Sequence, residues 1–188
     1  SVGFAGGVRP GLGTSDIVVC SRVWAAEGPQ GSWSKEAAKS LPLEEQGLGD
    51  RPGAHRVSAG DCLTVPWIVS SNVEKRLLAE EFPVSVVDME GFWVSQTAAR
   101  RGVPHAVVKS VLDPLDQSLP SFLERAAADG AEGSWVQALR RALSRPTEIP
   151  GLIRLAAQAK QARASLAAFL NESARPVSLA EPSNRPAG

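Results

Sequence analysis

The 188-residue chain has little of what would build a metal centre, a disulfide scaffold or a membrane span. It has two cysteines, Cys20 in an apolar run and Cys62 after Gly-Asp, and their spacing suits neither a staple nor a zinc site, so both are read as reduced, partly buried thiols. Its two histidines, His55 and His105, complete no ligand set with them. No apolar stretch approaches the roughly 18 residues that cross a bilayer, and no basic start with a small-residue cleavage site marks a signal peptide. A cytoplasmic protein is the expectation. Twenty basic residues balance twenty acidic ones, so no overall field recruits nucleic acid, and none is expected as a partner. No internal repeat points to a solenoid.

What is present is a globular composition, 43% hydrophobic and 21% charged, sufficient for one domain with a core. Charge is unevenly placed. From Arg140 to Arg175, Arg140, Arg141, Arg145, Arg154, Lys160, Arg163 and Arg175 face only Glu148 and Glu172, a local excess of +5 that leaves −5 elsewhere.

The chain opens on a glycine loop, "GFAGGVRPGLGTSD", in which Gly3, Gly6 and Gly7 suit a sharp turn or a close approach to a ligand. A strand follows over Ile17 to Val23. Trp24 to Ala54 reads as a long surface excursion with little regular structure. Arg56 to Val69 is a second apolar segment that Pro66 interrupts. Ser71-Asn72-Val73-Glu74 has the S-x-x-E form of a capping box and opens a helix with Leu77, Leu78 and Phe82 inward, stopped by Pro83.

"VVDMEGFW", Val86 to Trp93, is the most informative run. Val84, Val86 and Val87 are β-branched and read as a short buried strand, and the run exits through Asp88-Met89-Glu90 into a helix from about Glu90 to Arg101, stopped by Gly102. With the strand His105 to Leu112 this predicts a β-α-β unit, whose strands are ordinarily parallel neighbours. Glu90 and Asp113 then sit at two strand exits, on one sheet edge, about 4.8 Å apart as neighbours or about 10 Å with one strand between them, where open α/β sheets place ligands. Taken singly, each acid also fits a helix cap or a partner of the helix dipole, and Met89 fits core filler. Helices are expected near Leu119 to Ala128, Ser134 to Ser144 and Pro150 to Leu170, followed by a Pro-rich polar tail over residues 173–188 that is expected to be disordered. In the last helix Leu155, Ala159, Ala162, Leu166 and Phe169 form an apolar stripe with Arg154, Lys160 and Arg163 away from it. Packing on the domain is the favoured reading. An interfacial helix touching anionic lipid, peripheral to the inner membrane, is the alternative.

Two stretches together, "GFAGGVRPGLGTSDIVV" and "VVDMEGFWVSQTAARRGVPHAVVKSVLD", resemble in order and spacing the nucleoside phosphorylase and nucleosidase superfamily that includes methylthioadenosine/S-adenosylhomocysteine nucleosidase. "DPLDQSLP" and "ALRRALSRPTEIPGLIRLAAQAKQARASL" look more narrowly like the hopanoid-associated phosphorylases, which act on an adenosyl-hopane intermediate. The resemblance implies an α/β, three-layer αβα domain with a central mixed, largely parallel sheet and a helical C-terminal region. Residues 1–172 would be a partial domain, its usual first third preceding Ser1, and such a partial sheet would be expected to self-associate as a homo-oligomer.

The implied activity is cleavage of the N-glycosidic bond of a purine nucleoside, with no cofactor and with water or phosphate as acceptor. The implied substrate is an adenosyl-hopanoid precursor, with methylthioadenosine or S-adenosylhomocysteine as the alternative; a non-catalytic nucleoside-binding remnant is the rival. In this resemblance Glu90 would accept from the ribose hydroxyls and Met89 would lie on the sugar. Asp113 would donate to purine N7 as general acid, while Ala5 and Gly6 would run beside the nucleoside. Trp67 and Ile68 would stack on the base, although a structural role suits Trp67 equally. Three positions depart from the family pattern. Leu112 replaces a serine, Gly91 a small polar residue, and Lys109 an arginine; a buried Lys109 would call for a carboxylate partner.

Overall fold

The computed structural model describes residues 1–26, 36–39, 56–120 and 149–173. In chain order the elements are strands β1 (Val2–Gly7), β2 (Ile17–Ala25), β3 (Glu36–Lys39) and β4 (Val57–Thr64), helix α1 (Asn72–Glu81), strand β5 (Val86–Asp88), helix α2 (Gly91–Arg100), strand β6 (Val107–Asp113) and helix α3 (Ile149–Ser173). The helices expected near 119–128 and 134–144 fall outside the described residues apart from 119 and 120, which are not helical. The tail beyond 173 also lies outside them, as does most of the excursion after Trp24; within that excursion β3 adds an antiparallel edge to β2.

The fold is α/β with a mixed sheet of order β3-β2-β4-β5-β1-β6, and a further pairing of β2 with β6 closes the last five strands into a ring. Pairs β2–β4, β4–β5 and β1–β6 are parallel. Pairs β1–β5, β2–β3 and β2–β6 are antiparallel; strands of opposite direction meet in the ring at β1–β5 and β2–β6, while β2–β3 lies outside it. The predicted strand–helix–strand unit is present, but β5 and β6 are not parallel neighbours. β1 lies between them, parallel to β6 and crossing β5 only at Gly6↔Val87 and Gly7↔Val86.

The opening glycine stretch is therefore a strand rather than a loop. Its glycines matter for close approach: a Cβ on Gly6 would lie 3.2 Å from Val87 Cγ1, and one on Gly7 3.3 Å from Val111 Cγ1. The left-handed turn that glycine also serves comes later, at Gly11 with φ +82°.

β2 reads Ile-Val-Val-Cys without polar alternation because both of its faces are covered. Val18, Cys20 and Val23 join Cys62, Val86, Phe92 and Val111 in the central core, whereas Ile17 and Val19 face Phe169 of α3. The stripe on α3 is thereby accounted for: Ala162 and Phe169 are buried and Leu166 packs on the sheet, while Arg154, Lys160 and Arg163 stay exposed. No helix among the described residues is long and apolar enough to cross a membrane. Both cysteines are free and fully buried.

α1 starts as the sequence indicates, with Ser71 Oγ accepting from Glu74 N at 3.0 Å. The reciprocal half of the box is replaced, since Glu74 Oε1 accepts from Trp67 Nε1 at 2.6 Å. Leu78 and Phe82 face inward as predicted, but Leu77 is 54% exposed. The inward position is filled by Lys75, which shares a helical face with Leu78 and Phe82 by its i, i+3, i+7 spacing.

Candidate active site

A cavity of about 310 Å³ opens where β5, β1 and β6 end. Every residue singled out from sequence, Ala5, Gly6, Trp67, Ile68, Met89, Glu90 and Asp113, lies on its wall. The sheet explains the convergence: Gly6 is in register with Val87 on one side and with Asp113 on the other, so one small residue separates the ends of β5 and β6. The two acids meet across an intervening strand rather than as parallel neighbours.

Asp113 closes β6 and caps no helix among the described residues. It is 3% exposed, and Lys75 Nζ, itself fully buried, donates to its Oδ2. The same ammonium reaches three carbonyls of the following turn, Asp113 at 3.3 Å, Pro114 at 2.9 Å and Gln117 at 2.9 Å. Burial pushes the Asp113 carboxyl up to about 6, against the opposing pull of Lys75. The cause is thus desolvation, not repulsion from Glu90.

Glu90 is exposed at the junction of β5 and α2, and its side chain makes no cap hydrogen bond. The capping work falls to its neighbours. Asp88 Oδ2 accepts from Gly91 N at 2.9 Å, and Thr64 Oγ1 accepts from Phe92 N at 2.9 Å while donating to Asp88 Oδ1 at 2.6 Å. Asp88 also pairs with buried Lys109, Nζ to Oδ2 2.5 Å, which supplies the carboxylate that Lys109 requires. Burial pushes Lys109 down, but Asp88 outweighs it and the lysine ends above its ordinary value. One acid of Asp-Met-Glu thus anchors the helix start, and the other is left to the cavity.

Met89, 41% exposed, gives the rim an apolar surface, and Ala5 is buried beside it. Trp67 does two things: its indole N–H is held by Glu74 and its ring packs on the cluster around Leu78 and Phe82, yet it also lines the cavity. Phe4, Leu119 and Leu155 complete an apolar side that sequence reasoning did not assign to the site. Leu155 was visible as part of the α3 stripe. The helix is tied to the site through Gln158, whose amide exchanges hydrogen bonds with Gln117 at 2.6 and 2.8 Å and donates to Thr14 Oγ1 at 3.0 Å.

A ring-closed mixed sheet with a buried acid and an exposed acid on the wall of one apolar cleft at its strand ends defines an α/β domain of the kind that places ligands there. Residues 1–149 match the phosphorylase superfamily, and the chain belongs to that family. A futalosine hydrolase of Streptomyces coelicolor is 28% identical over 128 residues, which are 61% of this chain and 53% of that protein. Among solved structures, the 5'-methylthioadenosine/S-adenosyl homocysteine nucleosidase of Helicobacter pylori superposes with a TM-score of 0.60 at 17% identity, over 90% of this chain and 64% of that one. Futalosine hydrolase of the same organism gives 0.58 at 18%, with the same coverage. These structural likenesses define the shared fold. The chain spans about half the length of the curated relative and less than two thirds of these structures.

Proposed function

We propose that the protein carrying this chain cleaves the N-glycosidic bond of a purine nucleoside and releases the free base. The observation that carries the reading is the placing of a buried Asp113, its carboxyl raised to about 6, and an exposed Glu90 that makes no cap hydrogen bond on one cavity wall. Asp113 acts as general acid: as the C1'–N9 bond breaks and its electron pair moves into the purine, the proton passes from the carboxyl to N7. A carboxyl near 6 can both hold that proton and give it up close to neutral pH, and such catalysis typically contributes about 10²–10⁴ in rate. Glu90 accepts from the ribose hydroxyls and stabilises the cationic sugar left behind. Water or phosphate then adds at C1', and solvent restores the proton to Asp113. Met89 shields the sugar, Ala5 and Gly6 give it backbone to lie on, and Trp67 with Ile68 covers the base. No cofactor is invoked.

The charged side chains on the described wall, Asp88, Glu90 and Asp113, are all acidic. Phe4, Leu119 and Leu155 add apolar surface. This favours a neutral, apolar 5'-substituent over an anionic one; it supports the adenosyl-hopanoid precursor proposed as substrate, suits the alternative methylthioadenosine equally, and disfavours S-adenosylhomocysteine with its carboxylate. The relationship to nucleosidases supports the reaction class. A homo-oligomer remains part of the proposal. Peripheral lipid contact is retained only through the exposed basic residues of α3, since its apolar stripe faces the sheet. The test is chromatographic detection of free adenine from adenosines with alkyl, methylthio or carboxylate 5'-groups, with and without phosphate. Adenine from the apolar substrates supports the proposal; binding without release places the chain with the non-catalytic nucleoside binders.

A further inference from the structure

A fully buried ammonium is a costly feature unless it is paired and satisfied. Lys75 is the only residue of α1 to send a charge into the interior among the described residues, where leucine would suffice for packing. Its four acceptors all belong to Asp113 or to the turn that follows it, 38 to 42 positions later. We infer that Lys75 is a positioning residue for the general acid: it fixes Asp113 Oδ2 and the 113–117 turn, leaving Oδ1 as the oxygen that carries the proton to the base. The inference rests on the assignment of Asp113 in the proposed function.

The surroundings leave this part to Lys75. The segment of β1 facing Asp113 is Ala5, Gly6 and Gly7, without charge. α3 contributes Leu155 to the wall and Gln158 to the turn, both neutral. From the end of β5 come Asp88, already paired with Lys109, and Glu90, both acidic and neither a cause of the Asp113 shift. Beyond the turn, Asp116 is paired with Arg76 at the surface. Lys75 is thus the cation in contact with Asp113, the one group here that both orients the carboxyl and counters the effect of its burial.

The natural full-length protein with Lys75→Met and Lys75→Arg provides the test, each also made in the Asp113→Asn background, with kcat, KM and the pH profile of kcat/KM as readouts. Lys75→Met should lower kcat about tenfold or more with KM little changed. It should also move the alkaline limb upward by about one pH unit, because burial then acts unopposed. In Asp113→Asn the same change should lower kcat no further, since the group it orients is gone. Lys75→Arg should keep the limb in place and lower kcat, its planar fork failing to reproduce the ammonium's contacts. If Lys75→Met is not recovered folded, Lys75→Arg decides alone, and wild-type kcat in it overturns the inference. Equal losses in both backgrounds with an unmoved limb mean that Lys75 only supports the fold. Full base release by Asp113→Asn itself would instead remove the functional reading, an outcome distinct from the failure of Lys75 alone.

Discussion

Replacing Asp113 by Asn separates a catalytic acid from a structural one, and the structure changes what the substitution is expected to do. Were Asp113 a helix cap, Asn would be nearly silent, because the two residues cap about equally well. Asp113 instead faces an ammonium with no exposure and is itself buried. Removing one partner of a buried pair typically costs about 3–5 kcal/mol. Burial already favours the neutral form of Asp113, and the three carbonyls around Lys75 Nζ still satisfy its hydrogens, so the cost falls below that range, to about 1 kcal/mol for the exchanged hydrogen bond. Urea denaturation of the full-length protein would show it as a lower midpoint at unchanged slope. On protein verified as folded, base release should fall by at least about 10², since the amide keeps the shape but has no proton to give. Turnover within a few-fold of wild type would refute the catalytic assignment. Unchanged stability would refute the buried pair.

The pH dependence follows from the same group. Its carboxyl rises from 3.8 when free to about 6 in the fold, so between those values the native state binds more protons than the unfolded chain. Stability is therefore greatest below about 4 for this contribution and declines by up to about 3 kcal/mol as pH rises through 6, a slope that Asp113→Asn should abolish in denaturation series. Glu90→Gln, at an exposed position without a cap bond, should alter stability by less than about 0.5 kcal/mol. It should reduce kcat/KM by about 10–100-fold through weaker charge-assisted bonds to the sugar, and a wild-type value would contradict its role. Gly60→Ala would set a Cβ 2.5 Å from Ser85 Oγ and 2.8 Å from Ser85 Cβ. Overpacking of that kind should destabilise by about 1–3 kcal/mol, readable as a lowered Tm.

Local signals in the sequence carried most of the elements. Pro83 and Gly102 end α1 and α2 as anticipated, Gly102 by adopting a φ of +63°. The Ser71 cap was also legible. What was not legible depended on partners distant in the chain. Nothing local in "GFAGG" says that it is a strand inserted between β5 and β6, since its identity comes from close packing against Val87 and Val111. Asp88 and Glu90 divide the labour of capping and facing the cavity according to backbone direction at the strand exit, which two acids flanking a methionine do not reveal. Lys75 was hidden by its residue type. Its helical spacing with Leu78 and Phe82 places it inside, but lysine ordinarily counts against an inward position, and only the carboxylate 38 residues away overrides that.

The central claim is that the two acids act together on a glycosidic bond. The most direct measurement is the release of free adenine from 5'-alkyl adenosine by the full-length protein, followed in parallel for wild type, Asp113→Asn and Glu90→Gln, with and without phosphate. The account predicts base release by the wild type that falls by about 10² or more in Asp113→Asn, with Glu90→Gln losing mainly kcat/KM. Tight nucleoside binding without any adenine, or release unaffected by either substitution, would contradict it.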